Sequence, residues 1–278
     1  MQKSVEVLCP LKLTLFLNYQ GIDKQTNLKK LNIINQTIDI YDKLVITEFK
    51  RKYDGINIEC NDYKEEFYKT CKLFFDYTNI KINSLLLEIE IANQDLTCLG
   101  SKDSIMAGIL LGLDRYYQTN LTKRELVFLA LNLGGWVPYF LVSGYAKINN
   151  NQIDVLKDNK FQNYLLINTK ENYSNNFILE KLKDLNVSLK SYNEAGLYND
   201  FTKIMPDEII RLRNFLNNFS SINHSLSDLG PIYFIGYDNK SFPYHIKMLL
   251  KKEFPNYSFY SSKNSTGHKI ITRYLNYY

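Results

Sequence analysis

Residues 5–19 constrain the fold more than any other stretch. They carry the run Pro10-Leu11-Lys12-Leu13-Thr14-Leu15-Phe16-Leu17, which alternates and then turns fully apolar, the pattern of a strand within a sheet. Residues 39–49 and 56–59 read as further strands, and 64–77 carry helical spacing in Phe67, Cys71, Phe74 and Phe75. Residues 85–91 alternate strongly. Ser101 or Asp103 then opens an apolar helix reaching Tyr117, Thr122 with Glu125 three residues later predicts a capping box, and Gly134-Gly135 stops the helix that follows. The Asn- and Asp-rich tract 149–160 predicts a boundary between two halves, 1–155 and 156–278. Beyond it come a short buried strand (164–168), a helix (206–218) with Pro206 near its first turn, and a strand (229–237) entered through Gly230-Pro231. A helix (242–254) and a last strand (269–274) close the succession. Strands and helices mix without a regular βαβ repeat, which predicts an α+β fold.

At 278 residues and 45% apolar content, the chain is long enough for one large domain or two intimate ones with a real core. Its net charge of +5, from 34 basic and 29 acidic residues spread along the chain, gives weak grounds for nucleic-acid binding. No apolar run approaches the ~20 residues of a membrane span, and residues 1–9 alternate as a strand rather than as a signal peptide. The prediction is a cytoplasmic protein with no membrane and no nucleic-acid partner. Cys9, Cys60, Cys71 and Cys98 are scattered without pairing, so they read as reduced thiols, and no metal site is predicted.

Four segments, in order and together covering nearly the whole chain, resemble the 4-diphosphocytidyl-2-C-methyl-D-erythritol kinases of the GHMP superfamily. Residues 9–17 resemble that family's Pro-Ala-Lys-Ile-Asn-Leu strand; Lys12 is kept and Thr14 replaces Asn. Residues 96–107 align without a gap on the phosphate loop Gly-Ala-Gly-Leu-Gly-Gly-Gly-Ser-Ser-Asp-Ala-Ala, of which Leu99, Gly100, Ser104 and Ala107 survive. Residues 131–144, Leu-Asn-Leu-Gly-Gly-Trp-Val-Pro-Tyr-Phe-Leu-Val-Ser-Gly, resemble the segment Leu-Gly-Ala-Asp-Val-Pro-Phe-Phe, with Trp136 where the family has its general base. Residues 226–234 resemble Met-Ser-Gly-Ser-Gly-Pro-Thr-Val-Phe and keep Ser227, Gly230, Pro231 and Phe234.

The resemblance implies a GHMP kinase fold of two domains with an intervening cleft on which Lys12, Ser104, Trp136 and Ser227 converge. It implies ATP and Mg2+ as cofactors and a small-molecule substrate whose 2-hydroxyl is phosphorylated in the non-mevalonate route to isoprenoids. By position it assigns Leu99, Gly100, Ser101 and Ser104 to the nucleotide, and Thr14, Lys29, Ser227 and Gly230 to the substrate. Lys12 and Trp136 fall at the catalytic positions. The oligomeric state is left open.

The replacements bear on activity. An indole only donates hydrogen bonds and cannot act as a general base. A phosphate loop turns consecutive backbone N–H groups toward its anion through glycines, and Leu96, Thr97, Cys98, Lys102 and Asp103 occupy that run. Asp103 also adds a charge where a triphosphate should lie; at ~4 Å and an effective dielectric of ~20, such repulsion is about 4 kcal/mol. On the acceptor side, Asn27-Leu28-Lys29 stand where the family has Gly-Tyr-His. An impaired or inactive descendant is therefore predicted, the alternatives being an active divergent kinase and a non-catalytic binding or regulatory module on the same scaffold. Bland readings stand beside these: Lys12 as a snorkelling surface lysine, Trp136 as a cavity filler, and Asp103 and Ser104 as helix-capping residues. His224, His245 and His268 share no spacing with a nucleophile and read as solvated or packed.

Overall fold

Strand β1 (Gln2–Ile22) is long enough that its two halves serve different parts of the chain. The computed structural model describes residues 2–22, 29–48, 55–82, 84–149, 152–171, 177, 181, 185, 190, 196–238 and 244–275. They form two compact units, one of residues 1–11, 40–143 and 266–278, the other of 12–39 and 144–265.

In the first unit, β12 (Lys269–Leu275) pairs antiparallel with the start of β1, from Gln2↔Leu275 to Leu8↔Lys269. The end of β2 (Lys29–Glu48) pairs antiparallel with β4 (Ser84–Glu90), and β3 (Gly55–Glu59) lies parallel to β4. Helices α1 (Lys64–Thr78), α2 (Ser101–Tyr117), α3 (Lys123–Leu133) and α4 (Val137–Val142) complete it, with α2 packed on α1 and α4. The helix α2 is buried almost all round, as its apolar run demands. It also needs two glycines: a Cβ on Gly108 would fall 2.5 Å from Cys9 Sγ, and one on Gly112 2.6 Å from Ile46 Cδ1. The capping box of α3 is complete, with Glu125 N donating to Thr122 Oγ1 and Thr122 N to Glu125 Oε2.

In the second unit, β5 (Tyr145–Asn149) pairs antiparallel with β2, and β6 (Gln152–Val155) with β5, so the polar tract after 149 begins as a strand. The short β8 (Tyr198–Asn199) lies parallel to β1 at Phe16 and Leu17. A four-stranded sheet has the order β11 (Ser258–Lys263), β7 (Asn163–Asn168), β10 (Ile232–Tyr237), β9 (Asn223–Leu226). All six residues of β7 are buried, which explains its unbroken apolar centre. Helices α5 (Asp207–Asn217) and α6 (Tyr244–Glu253) are tied by Arg211 and Glu253 at 2.7 Å.

Two sequence readings need correction. The strand predicted from 229 begins at Ile232, because 228–230 form a turn in which Gly230 N donates to Ser227 O. Asp103 and Ser104 do not cap α2; its N-cap is Gly100, in the left-handed region at φ 88°, and no side-chain cap bond forms. Residues 242 and 243 of the predicted helix lie outside the described residues. No helix among the described residues is long and apolar enough to cross a membrane.

Candidate functional site

Alternation along β1 would ordinarily send Lys12 to a solvated face. Here both faces are covered, since Leu11, Leu13, Thr14, Leu15 and Phe16 are all buried and Lys12 itself is 1% exposed. It is not a snorkelling lysine. An ammonium enclosed to this degree requires a counter-charge. Asp228 supplies it: Lys12 Nζ lies 3.0 Å from Asp228 Oδ2 and 3.2 Å from Thr14 Oγ1. The Thr14 hydroxyl donates to Asn35 Oδ1 at 2.9 Å, and Thr14 N donates to Ser227 Oγ at 3.1 Å. Asn199 Nδ2 holds the Asp228 carbonyl at 2.6 Å. Three sequence-selected residues, Lys12, Thr14 and Ser227, therefore meet in the second unit, and Gly230 shapes the turn beside them. Residues 27 and 28 and the side chain of Lys29 lie outside the described residues.

The first unit holds the segment aligned with a phosphate loop. Instead of an open glycine run, residues Gln94–Leu99 wind into a 3-10 helix that buries Leu96 and Leu99, and Asn93 caps it by accepting from Asp95 N at 2.9 Å. Gly100 then turns the chain into α2, whose first i→i−4 bond runs from Ser104 N to Gly100 O at 2.9 Å. The amides of residues 101–103 thus have no intrahelical acceptor and mark the positive end of the helix. The nearby side chains face inward. Ser101 Oγ donates to Asp42 Oδ2 at 2.5 Å, and Ser104 Oγ donates to Pro10 O at 2.6 Å. Burial raises the Asp42 carboxyl above its usual range, against the hydrogen bonds from Ser101 and from Ala92 N.

Asp103 has a different task from either sequence reading. Its Oδ2 accepts the backbone N–H of Trp136 at 2.8 Å, and it sits so close to Gly135 that a Cβ there would meet that oxygen at 2.6 Å. The carboxylate that would oppose a phosphate is committed to the turn before α4. Lys102 lies over the Tyr63 ring, 5.7 Å from its centroid. Trp136 is half-buried at the N-cap of α4.

Sequence reasoning did not single out Asp228 or Asn35, and it read His268 as solvated or packed. The imidazole of His268 is half-buried, its Nε2–H donates to Ser104 O at 2.9 Å, and burial pushes its pKa down to about 4. His224 is likewise lowered to about 4, first by burial and then by Arg213. No group of three or more His, Cys, Asp or Glu side chains that could cage a metal occurs among the described residues.

No family model matches the chain. Curated relatives do. The 4-diphosphocytidyl-2-C-methyl-D-erythritol kinase of Clostridium botulinum (strain Alaska E43 / Type E3) is 26% identical over 235 residues, spanning 75% of this chain and 82% of the relative. That of Clostridium tetani (strain Massachusetts / E88) is 27% identical over 248 residues, spanning 80% and 87%. Among solved structures, a 4-(cytidine 5'-diphospho)-2C-methyl-D-erythritol kinase superposes with a TM-score of 0.75 at 16% identity, covering 94% of this chain and 100% of that one. The homoserine kinase of Cytophaga hutchinsonii superposes with a TM-score of 0.71 at 12% identity, covering 96% and 97%. The α+β fold is that of the GHMP kinases, and over 75–80% of its length the chain is similar, at 26–27% identity, to curated 4-diphosphocytidyl-2-C-methyl-D-erythritol kinases.

Proposed function

We propose that the chain transfers the γ-phosphoryl group of ATP to an alcohol, and that it does so slowly. The relatives' names supply the acceptor, 4-diphosphocytidyl-2-C-methyl-D-erythritol, and the resemblance in sequence supplies its 2-hydroxyl as the nucleophile. One observation carries the reading: Lys12 is fully enclosed yet charge-balanced, at the position where the resemblance places a lysine beside the reacting hydroxyl.

The chain's own groups have definable tasks in such a reaction. The amides of residues 101–103 and the dipole of α2 attract phosphate oxygens. The Lys12 ammonium stabilises charge developing on transferring oxygens. Impairment follows from what is missing. Trp136 offers no carboxylate, and the 3-10 helix of residues 94–99 replaces a glycine run that would wrap the phosphates. Phosphoryl transfer depends mostly on positioning, so the altered loop should cost more than the lost base.

A coupled assay of ADP release on the full chain, with magnesium, ATP and the acceptor, tests this. Turnover should be saturable in ATP and well below the roughly 1–100 s⁻¹ usual for kinases. Trp136→Asp should alter it less than about threefold, since a carboxylate alone does not rebuild the loop. Wild-type protein that releases no ADP above the blank overturns the phosphotransferase reading. Turnover in the ordinary kinase range overturns the impairment.

A further inference from the structure

The residue paired with Lys12 is the least expected one in its turn. Asp228 has φ 52°, in the left-handed region that disfavours most side chains, at a position where the resembled motif has glycine. Its turn is pinned on several sides: Ser227 N donates to Ile232 O, Gly230 N to Ser227 O, and Asn199 Nδ2 to the Asp228 carbonyl. The side chain is thereby aimed at Lys12. The two ends of this ion pair differ in exposure, with the ammonium 1% and the carboxylate 25% accessible. Only Oδ2 faces the lysine. Oδ1 makes no hydrogen bond among the described residues and lies on the partner that reaches the surface.

Behind the pair runs a polar chain. Asn35 Oδ1 accepts from Thr14, Thr14 Oγ1 accepts from Lys12, and Lys12 donates to Asp228. Asn35 Nδ2, at the inner end, is buried with no hydrogen-bond partner among the described residues. Buried polar chains of this kind are costly to keep, and a left-handed aspartate adds to the cost. A site that orients one carboxylate explains why these residues occur together.

We infer that Asp228 is the carboxylate that accepts the proton of the attacking hydroxyl, in place of the one absent at Trp136. The inference rests on the phosphotransferase reading above. Asp228 Oδ1 takes the hydroxyl proton as the acceptor oxygen uses its electron pair to form the bond to the γ-phosphorus. The bond from that phosphorus to the β,γ-bridging oxygen breaks, and its electron pair leaves on ADP. The proton then passes from Asp228 to solvent. Lys12 Nζ, 3.0 Å from Oδ2, orients the carboxylate before the step.

The experiment uses the full chain and follows phosphorylated acceptor by single-turnover radiolabel transfer from ATP. Asp228→Asn keeps the shape and the tolerance for a left-handed φ but removes the base. Its rate constant for transfer should fall by about 10²–10⁴-fold, with the KM for ATP changed little and the acid limb of the pH–rate profile abolished. Asp228→Asn that stays within threefold of wild type and keeps that limb overturns the inference and leaves the kinase reading standing. Wild-type protein that transfers no label overturns both. Should Asp228→Asn fail to fold, Asp228→Glu decides. It keeps the charge and shifts the oxygens by one methylene, so a tenfold or larger rate loss at an unchanged melting temperature supports the assignment, and an unchanged rate overturns it.

Discussion

The Lys12 neighbourhood and the start of α2 both lie in segments that resemble kinase motifs with replacements, yet their side chains go opposite ways. Around Lys12, a changed residue, Asp228, turns toward the retained one and gives it a charged partner. At α2, retained and changed residues alike are spent on the scaffold: Ser101 on Asp42, Ser104 on Pro10 O, Asp103 on the Trp136 amide. A matching residue type is therefore no guide to a matching role. Ser104 falls on a serine of the resembled motif, and its hydroxyl is buried against β1.

The largest effect that would break this contrast is at Lys12. Lys12→Met should lower phosphoryl transfer by about 10³-fold or more while leaving the melting temperature within a few degrees of wild type. The apolar replacement suits the enclosed site, and Asp228, partly exposed, can be hydrated. A strong loss of stability with retained transfer would make Lys12 a packing residue and erase the contrast.

A smaller effect sharpens the other side. His268, bonded to the Ser104 carbonyl, is held neutral, with a pKa of about 4 against 6.5 in the unfolded chain. Between those values the unfolded state binds more protons, so stability falls as pH drops from 6.5 to 4 and is unaffected by this group above 6.5. The loss should reach about 3 kcal/mol and be absent in His268→Gln, as measured by urea unfolding across that range. Parallel curves for the two proteins would mean that His268 is not held neutral.

The smallest expected effect concerns Asp103. Asp103→Ala should cost about 1 kcal/mol by freeing the Trp136 amide, and should change the affinity for MgATP less than threefold in calorimetric titration. Tenfold tighter binding would show that the carboxylate opposes phosphate after all, and that α2 begins in a working loop.

What the sequence made legible follows the range of the interactions. Periodicity and caps are local, so β1, β4, β7, α1, α2 and the box at Thr122 and Glu125 could all be read from neighbouring residues. Strands β9 and β11 could not. Asn223-His-Ser-Leu and Ser258-Phe-Tyr-Ser-Ser-Lys carry too many polar residues to alternate, and they are strands because β7 and β10 offer them edges. The resemblance located Lys12 and the start of α2, but the partners lie far along the chain. Asp228 is 216 residues from Lys12, and Asp103 is 33 from Trp136. In the sequence, Asp103 looks like a charge facing a ligand because no local pattern announces a backbone amide 33 positions later.

The pairing of β1 with β12 carries a consequence for how the protein is made. Residues 2–8 leave the ribosome before their antiparallel partners, 269–275, which follow more than 260 residues later. At about 5–20 residues per second, the edge of β1 waits tens of seconds for its ladder. Throughout that interval a run containing Val5 and Val7, both wholly buried in the finished unit, has one side without its strand. The β1–β12 ladder thus closes only after residues 269–275 are made, a late and non-local event that leaves the nascent β1 edge open to pairing with other chains until then.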